Sequence, residues 1–162
     1  YKHFDPKVAL YEAVLDEISC KRESYVDAVV QQPMDFARVL EAMTKVYVES
    51  IAKDPDYLKM EMHSVLEGST VTKQFFENRW RSFTDYIEFS MQELIPKGKV
   101  ANINPKAASL MFQGMIREAL YAKCIYNSDH YREYDLQTLV TILTGLFLVA
   151  IGYQPSEVSD ND

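Results

Sequence analysis

Four side chains at the start of the chain, Tyr1, Lys2, His3 and Lys7, have the types and spacing of an anion site. Asp5 is a favoured helix N-cap, and Pro6 suits the first helical position, where its missing N–H costs nothing. Val8, Tyr11, Leu15 and Ile18 then recur at helical spacing, so a helix is expected to begin at Pro6. A hydroxyl, an imidazole and two ammonium groups therefore gather round the positive end of a helix dipole. Cations are misplaced there unless an anion docks among them, and free backbone N–H groups with basic side chains make a phosphate site.

A second set of residues has the chemistry of a binding wall. Met43, Tyr47, Met62, Phe76, Trp80, Phe83, Met111, Phe112 and Met115 come from four successive helical patterns, and Tyr47, Arg79 and Trp80 can add polar contacts. Small-molecule sites are mostly apolar with a few orienting polar groups, and methionine lets such a wall adapt. The same stripe fits a solid core equally well. If it is a wall, few cations are expected to face inward, and the ligand is expected to be hydrophobic or aromatic without strong negative charge.

Catalytic and metal chemistry find little support. None of the three histidines, His3, His63 and His130, belongs to a helical Glu-x-x-His set or lies near a Gly-x-Ser-x-Gly elbow. His63 with Glu67, and His130 with Asp129 and Glu133, fall short of a ligand set. Lys97-Gly98-Lys99 lacks the length and hydroxyl of a phosphate loop, and the glycines form no dinucleotide fingerprint. No enzyme activity, cofactor or metal is expected. Cys20 and Cys124 are widely separated and read as thiols of a reducing compartment.

The elements that must position these groups are helical. Apolar residues follow the 3.6 period with no convincing strand alternation, which predicts an all-α chain of about six helices. The first is expected from Pro6 to Val30, the second from near Asp35 to Asp54-Pro55 and the third from Pro55 to Gly68. The fourth covers Thr70 to Leu94, the fifth runs from Asn104-Pro105 to about Tyr126, and the last, capped by Asp135, covers Leu136 to Gly152. A tail from 155 to 162 holds too few apolar groups to be fixed in place. The apolar run from Leu139 to Ile151 is shorter than the roughly 20 residues a bilayer needs, and no signal peptide is recognised, so a cytoplasmic protein without membrane contact is expected.

The last helix bears on assembly. Leu136, Val140, Leu143, Phe147 and Ala150 form one seam, while Leu139, Ile142, Leu146 and Val149 form a second. A helix apolar all round must be buried all round, either at the centre of a monomer or against a partner chain. The fifth helix has small residues for close approach, Ala107, Ala108, Gly114, Ala119 and Ala122, and a homodimer is expected through the first seam.

The run Tyr1-x-His3-Phe4-x-x-Lys7-x-x-Leu10 resembles the end of the DNA-binding domain of the TetR family of transcriptional regulators. The resemblance implies that Tyr1, His3 and Lys7 touch DNA phosphates while Phe4 and Leu10 pack inside a small helix-turn-helix domain. It implies further that residues 1–15 are the remnant of that domain and that most of it precedes Tyr1. Residues 16–154 would be an effector-binding and dimerising domain whose last two helices pair with their mates as a four-helix bundle, and 155–162 an acidic tail. The implied function is that of a ligand-responsive regulator, a repressor in its complete form, which meets double-stranded DNA only through the missing N-terminal domain. The net charge of −7 agrees with a body that does not itself track DNA. The rival is a helical-bundle protein that binds a small molecule or acts as an adaptor and never meets DNA.

Overall fold

The computed structural model describes residues 35–68 and 70–155, and the side chains of these residues except at 71, 72 and 76. The expected first helix, with Tyr1, His3 and Lys7, and the tail beyond 155 lie outside the described residues. Within them the chain forms five α-helices and no strand: α1 (Phe36–Lys53), α2 (Asp56–Glu67), α3 (Thr70–Leu94), α4 (Pro105–Leu120) and α5 (Leu136–Ala150). The all-helical reading of the sequence is therefore correct for this part of the chain. No helix among the described residues is long and apolar enough to cross a membrane.

Side-chain caps set the starts of three helices. The Asp35 carboxylate accepts from the Arg38 N–H at 2.9 Å, the Asn104 side-chain oxygen from Ala107 N–H at 3.1 Å, and Asp135 from Thr138 N–H at 2.7 Å. Each satisfies one of the backbone donors a helix leaves free in its first turn. Gly68 ends α2 in the left-handed conformation, with φ 70°, and donates its N–H to Val65 O. α4 does not stop at Leu120. It widens into a π-turn, Tyr121–Ile125, in which the Tyr126 N–H reaches back to Tyr121 O at 2.8 Å, and a 3-10 turn, Asp129–Tyr131, lies in the polar connection to α5.

α3 packs along α4, α5 lies against both α1 and α4, and α2 rests on α3 and on the π-turn. The buried face of α1 is Phe36, Val39, Leu40, Met43, Tyr47, Val48 and Ile51, and Thr44 sits among them because its hydroxyl donates to Leu40 O at 2.6 Å. Rings run through the centre as a file: Tyr47 against Trp80 at 5.0 Å between centroids, Tyr47 and Trp80 each against Phe83 at 5.5 Å, Phe83 against Phe112 at 6.1 Å, and Phe112 against Phe147 at 5.0 Å. Most meet edge-on or tilted, as ring quadrupoles prefer.

The end of α5 is clasped to the α3–α4 connection. Ala101 N–H donates to Ile151 O and Gln154 N–H to Lys99 O, both at 2.8 Å. Gly152 lies between these bonds at φ 68°, and a Cβ there would stand 3.3 Å from Ala101 Cβ, so both conformation and space favour glycine. The clasp fixes which face of α5 turns inward.

The apolar residues of α2 do not all turn inward. Leu58 is buried in the stripe Tyr57, Leu58, Glu61 and Ser64, while Met62 is half-buried and Val65 and Leu66 are exposed. Ser64 turns inward without cost because its hydroxyl donates to Met60 O and Glu61 O, both at 3.0 Å. Glu61 is a different case.

Candidate functional site

Glu61 is 5% exposed, and four elements meet around it. α2 brings Tyr57 and Glu61 to one face through their i, i+4 spacing, α3 brings Arg79 and Trp80, α4 brings Arg117, and the π-turn brings Tyr121. The Arg117 Nη2 lies 3.3 Å from Glu61 Oε1, and its guanidinium carbon stands 5.7 Å from the centre of the Trp80 ring. Arg79, 6% exposed, stacks 3.6 Å over the Tyr57 ring and 4.8 Å from that of Tyr47 on α1. Guanidinium groups suit such places because they are flat and more weakly hydrated than ammonium, so they lie on aromatic faces and still donate at their edges.

The electrostatics follow from burial. Loss of water pushes the Glu61 carboxyl above its ordinary value, against the opposing pull of Arg117 and then Arg79. The Tyr57 phenol is pushed far up by the same cause, which keeps it a neutral hydroxyl, and burial also raises Tyr121. The Cys124 thiol is raised by burial and lacks the activation a reactive cysteine needs. Among the described residues no three His, Cys, Asp or Glu side chains come together as a metal site.

The Glu61–Arg117 pair is geometrically incomplete. Its single ionic contact is long for a charge-assisted hydrogen bond, and the buried Arg117 Nε has no hydrogen-bond partner among the described residues. A buried ion pair offsets its desolvation only when geometry is good and the remaining donors and acceptors are met. This one falls short on both counts.

A second feature lies on the outside of α4 and α5. Met115, Glu118, Ala119, Ala122, Tyr131, Leu139 and Leu143 line a mainly apolar hollow of about 200 Å³ between the two helices. Met111 is one turn from Met115, and Ile142 and Leu146 adjoin Leu139 and Leu143 along α5, so they extend its walls. These residues are exposed, Leu146 by 58%, and Val149, one step further, by 77%.

No family model, curated protein or solved structure matches this chain. The site must therefore be read from its own chemistry.

The residues expected to bind a ligand divide into three groups. Met43, Tyr47, Arg79, Trp80, Phe83 and Phe112 are all buried, and the rings among them pack on one another in the central file. Met62 and Met115 are half-buried, Met62 on the α2 that carries Glu61 and Met115 in the outer hollow. Phe76 lies on α3, with its side chain outside the described residues. Met111 is 40% exposed, because the inner face of α4 is Ala108, Phe112, Ile116, Ala119 and Leu120, and Met111 falls to its flank. The premise that few cations face inward is also corrected, since Arg79 is buried and Arg117 pairs with a buried carboxylate.

The two apolar seams of α5 divide between inside and outside. Val140 is 3% and Phe147 1% exposed, both in the core of the chain itself, with Leu136 and Leu143 half-buried and Ala150 exposed. The open seam is Ile142, Leu146 and Val149. The clasp at Ile151 and the Phe112–Phe147 contact fix this rotation of α5, and neither can be read from the apolar pattern of that helix. The apolar pattern of the sequence does not single out Tyr57, Glu61 and Arg117, since two of them are charged and the third is one ring among eleven tyrosines. The available signal was Glu61 standing four residues after Tyr57 and three after Leu58, in step with the inner stripe of α2.

Proposed function

We propose that this chain is the effector-sensing and dimerising part of a ligand-responsive transcriptional regulator of the TetR type, a repressor in its complete form. The observation that carries the proposal is the outer face of α4 and α5. α5 has no charged residue from Leu136 to Ile151, yet Ile142, Leu146 and Val149 stand in water beside an apolar hollow. Single exposed apolar residues are ordinary, but a continuous patch marks an interaction surface. A two-fold mate presenting the same face would cover the seam and close the hollow, giving four helices across the axis.

The effector in this reading is a small, largely hydrophobic or aromatic molecule received among α1, α2, α3 and α4, where the aromatic file meets the charged cluster. Two reading heads must sit about one helical turn, roughly 34 Å, apart to enter successive major grooves. A ligand that binds one arrangement of the heads better than the other shifts that spacing, by as much as its differential affinity allows. In this reading Tyr1, His3 and Lys7 are the groups that meet DNA phosphates.

The test begins with the coding sequence upstream of Tyr1. About 45 further residues with two short helices and a tight turn are expected there. In the complete protein, Lys7→Ala weakens binding to all DNA sequences and lowers the slope of log affinity against log salt by about one. An unchanged slope removes Lys7 from the phosphates, and an upstream region without these helices favours the helical-bundle protein that never meets DNA.

A further inference from the structure

The incomplete pair at Glu61 has a use. A structural clamp between α2 and α4 would be stronger if Arg117 met its carboxylate side-on with two short bonds, or if apolar groups replaced both partners. Instead Glu61 makes one 3.3 Å contact with Arg117, and the buried Arg117 Nε has no acceptor among the described residues. The guanidinium has a planar edge fitted to a carboxylate and uses it only in part. About a third of the Arg117 side chain is exposed, Tyr121 one turn further on is half-buried, as is Met62 next to Glu61 in the sequence, and the Trp80 ring lies 5.7 Å from the guanidinium carbon.

We propose that Arg117 is the anchor for the carboxylate of a small aromatic or alkyl acid, which takes the place of Glu61 on the guanidinium while its apolar body lies against Trp80, Tyr121 and Met62. The inference deepens the small-molecule reading above and rests on it. As the ligand carboxylate arrives, Glu61 loses its partner and takes a proton from solvent, so one anion enters, one proton is taken up and the buried charge is unchanged. The exchange is favoured because burial already holds Glu61 above the ordinary carboxyl value. The groups that set this balance are Arg117 on α4, Arg79 on α3, Tyr57 on α2, Tyr121 on the π-turn and, beside Arg79, Tyr47 on α1. Burial keeps the Tyr57 and Tyr121 phenols neutral, so the two guanidiniums decide the sign and favour an acid over an amine.

The test is isothermal titration of the 162-residue chain with two acids, octanoate and indole-3-acetate, and their uncharged amides, in buffers of different ionisation enthalpy. At least one acid is expected to bind about tenfold or more tighter than its amide at pH 6 to 7, with net proton uptake. Arg117→Met removes the preference and leaves amide binding in place, while Glu61→Gln keeps the preference and abolishes the uptake. Should Arg117→Met fail to fold by circular dichroism, Arg117→Lys replaces it and is expected to reduce the preference. Amides that bind as well as acids, or a preference that survives at position 117, overturn the inference and leave the small-molecule reading standing. Binding of none of the four up to millimolar concentration removes the inference, and an uncharged hydrophobic panel then tests the broader reading on its own.

Discussion

Tyr47 and Trp80 stand on the border between two regions of one interior. On one side the file through Phe83 and Phe112 to Phe147 is closed: each ring touches the next, and Phe83, Phe112 and Phe147 are all buried to 1% or less. On the other, Glu61 and Arg79 are carried nearly as deep, and Glu61 meets a part-exposed Arg117 in a pair that geometry leaves half made. Packing alone explains the first region. The second keeps charges that an apolar set of similar volume would replace without loss, and such a retained cost is where function is to be sought.

The largest effect is expected in the closed region. Phe112→Ala removes the ring that joins α3 to α5 and leaves a void that rigid neighbours cannot fill. Thermal or denaturant unfolding should show a loss of about 3–5 kcal/mol. A loss under 1 kcal/mol would show that the file is looser than its contacts imply.

Next comes the outer face. Leu146→Glu places a charge in the middle of the exposed seam and should weaken self-association by about a hundredfold or more, read by sedimentation equilibrium, with little change in the helical content of the monomer. The same change at Val65, which is also exposed but lies on α2, serves as a control for general surface charge.

The charged region predicts a pH effect rather than a large loss. Glu61 has a folded-state value above its unfolded value of about 4.5, so the folded chain holds more protons than the unfolded one between the two. Stability from this group therefore falls as pH rises through that window, and the penalty is fully present above the folded value. Glu61→Gln should flatten this part of the stability profile, and at pH 7 it should change stability by about 1 kcal/mol or less, because the isosteric amide keeps the close approach to Arg117 while shedding the desolvated charge. A profile unchanged by the substitution would remove Glu61 from the titration. The smallest effect is expected far from both regions: Asn104→Ala deletes the cap on α4 and should cost about 1 kcal/mol in chemical denaturation.

The helices themselves were legible in the sequence because capping and proline signals act over a few residues. Asp35, Asn104 and Asp135 start helices as their types predict, and the Asp54-Pro55 stop and the Gly68 end are where the pattern puts them. Rotation about each axis was legible only in part. Val46 and Val48 are both apolar, yet Val46 is exposed and Val48 fully buried, and α5 turns its Val140–Phe147 seam inward, because neighbours in space decide these angles and the period alone does not. The charged cluster was hidden for a further reason. Glu61 and Arg117 lie 56 positions apart and become partners only when α2 rests on α3 and the end of α4. The π-turn after Leu120 likewise reads as continued helix in the sequence.

The most direct test of the central claim is native mass spectrometry of the 162-residue chain under conditions that keep weak assemblies intact. A mass of two 18.7 kDa chains, converted to one chain by Leu146→Glu, is the predicted result and assigns the open face of α4 and α5 to a second copy. A single 18.7 kDa chain at all concentrations up to tens of micromolar would contradict it, and with it the reading of this chain as the dimerising part of a regulator.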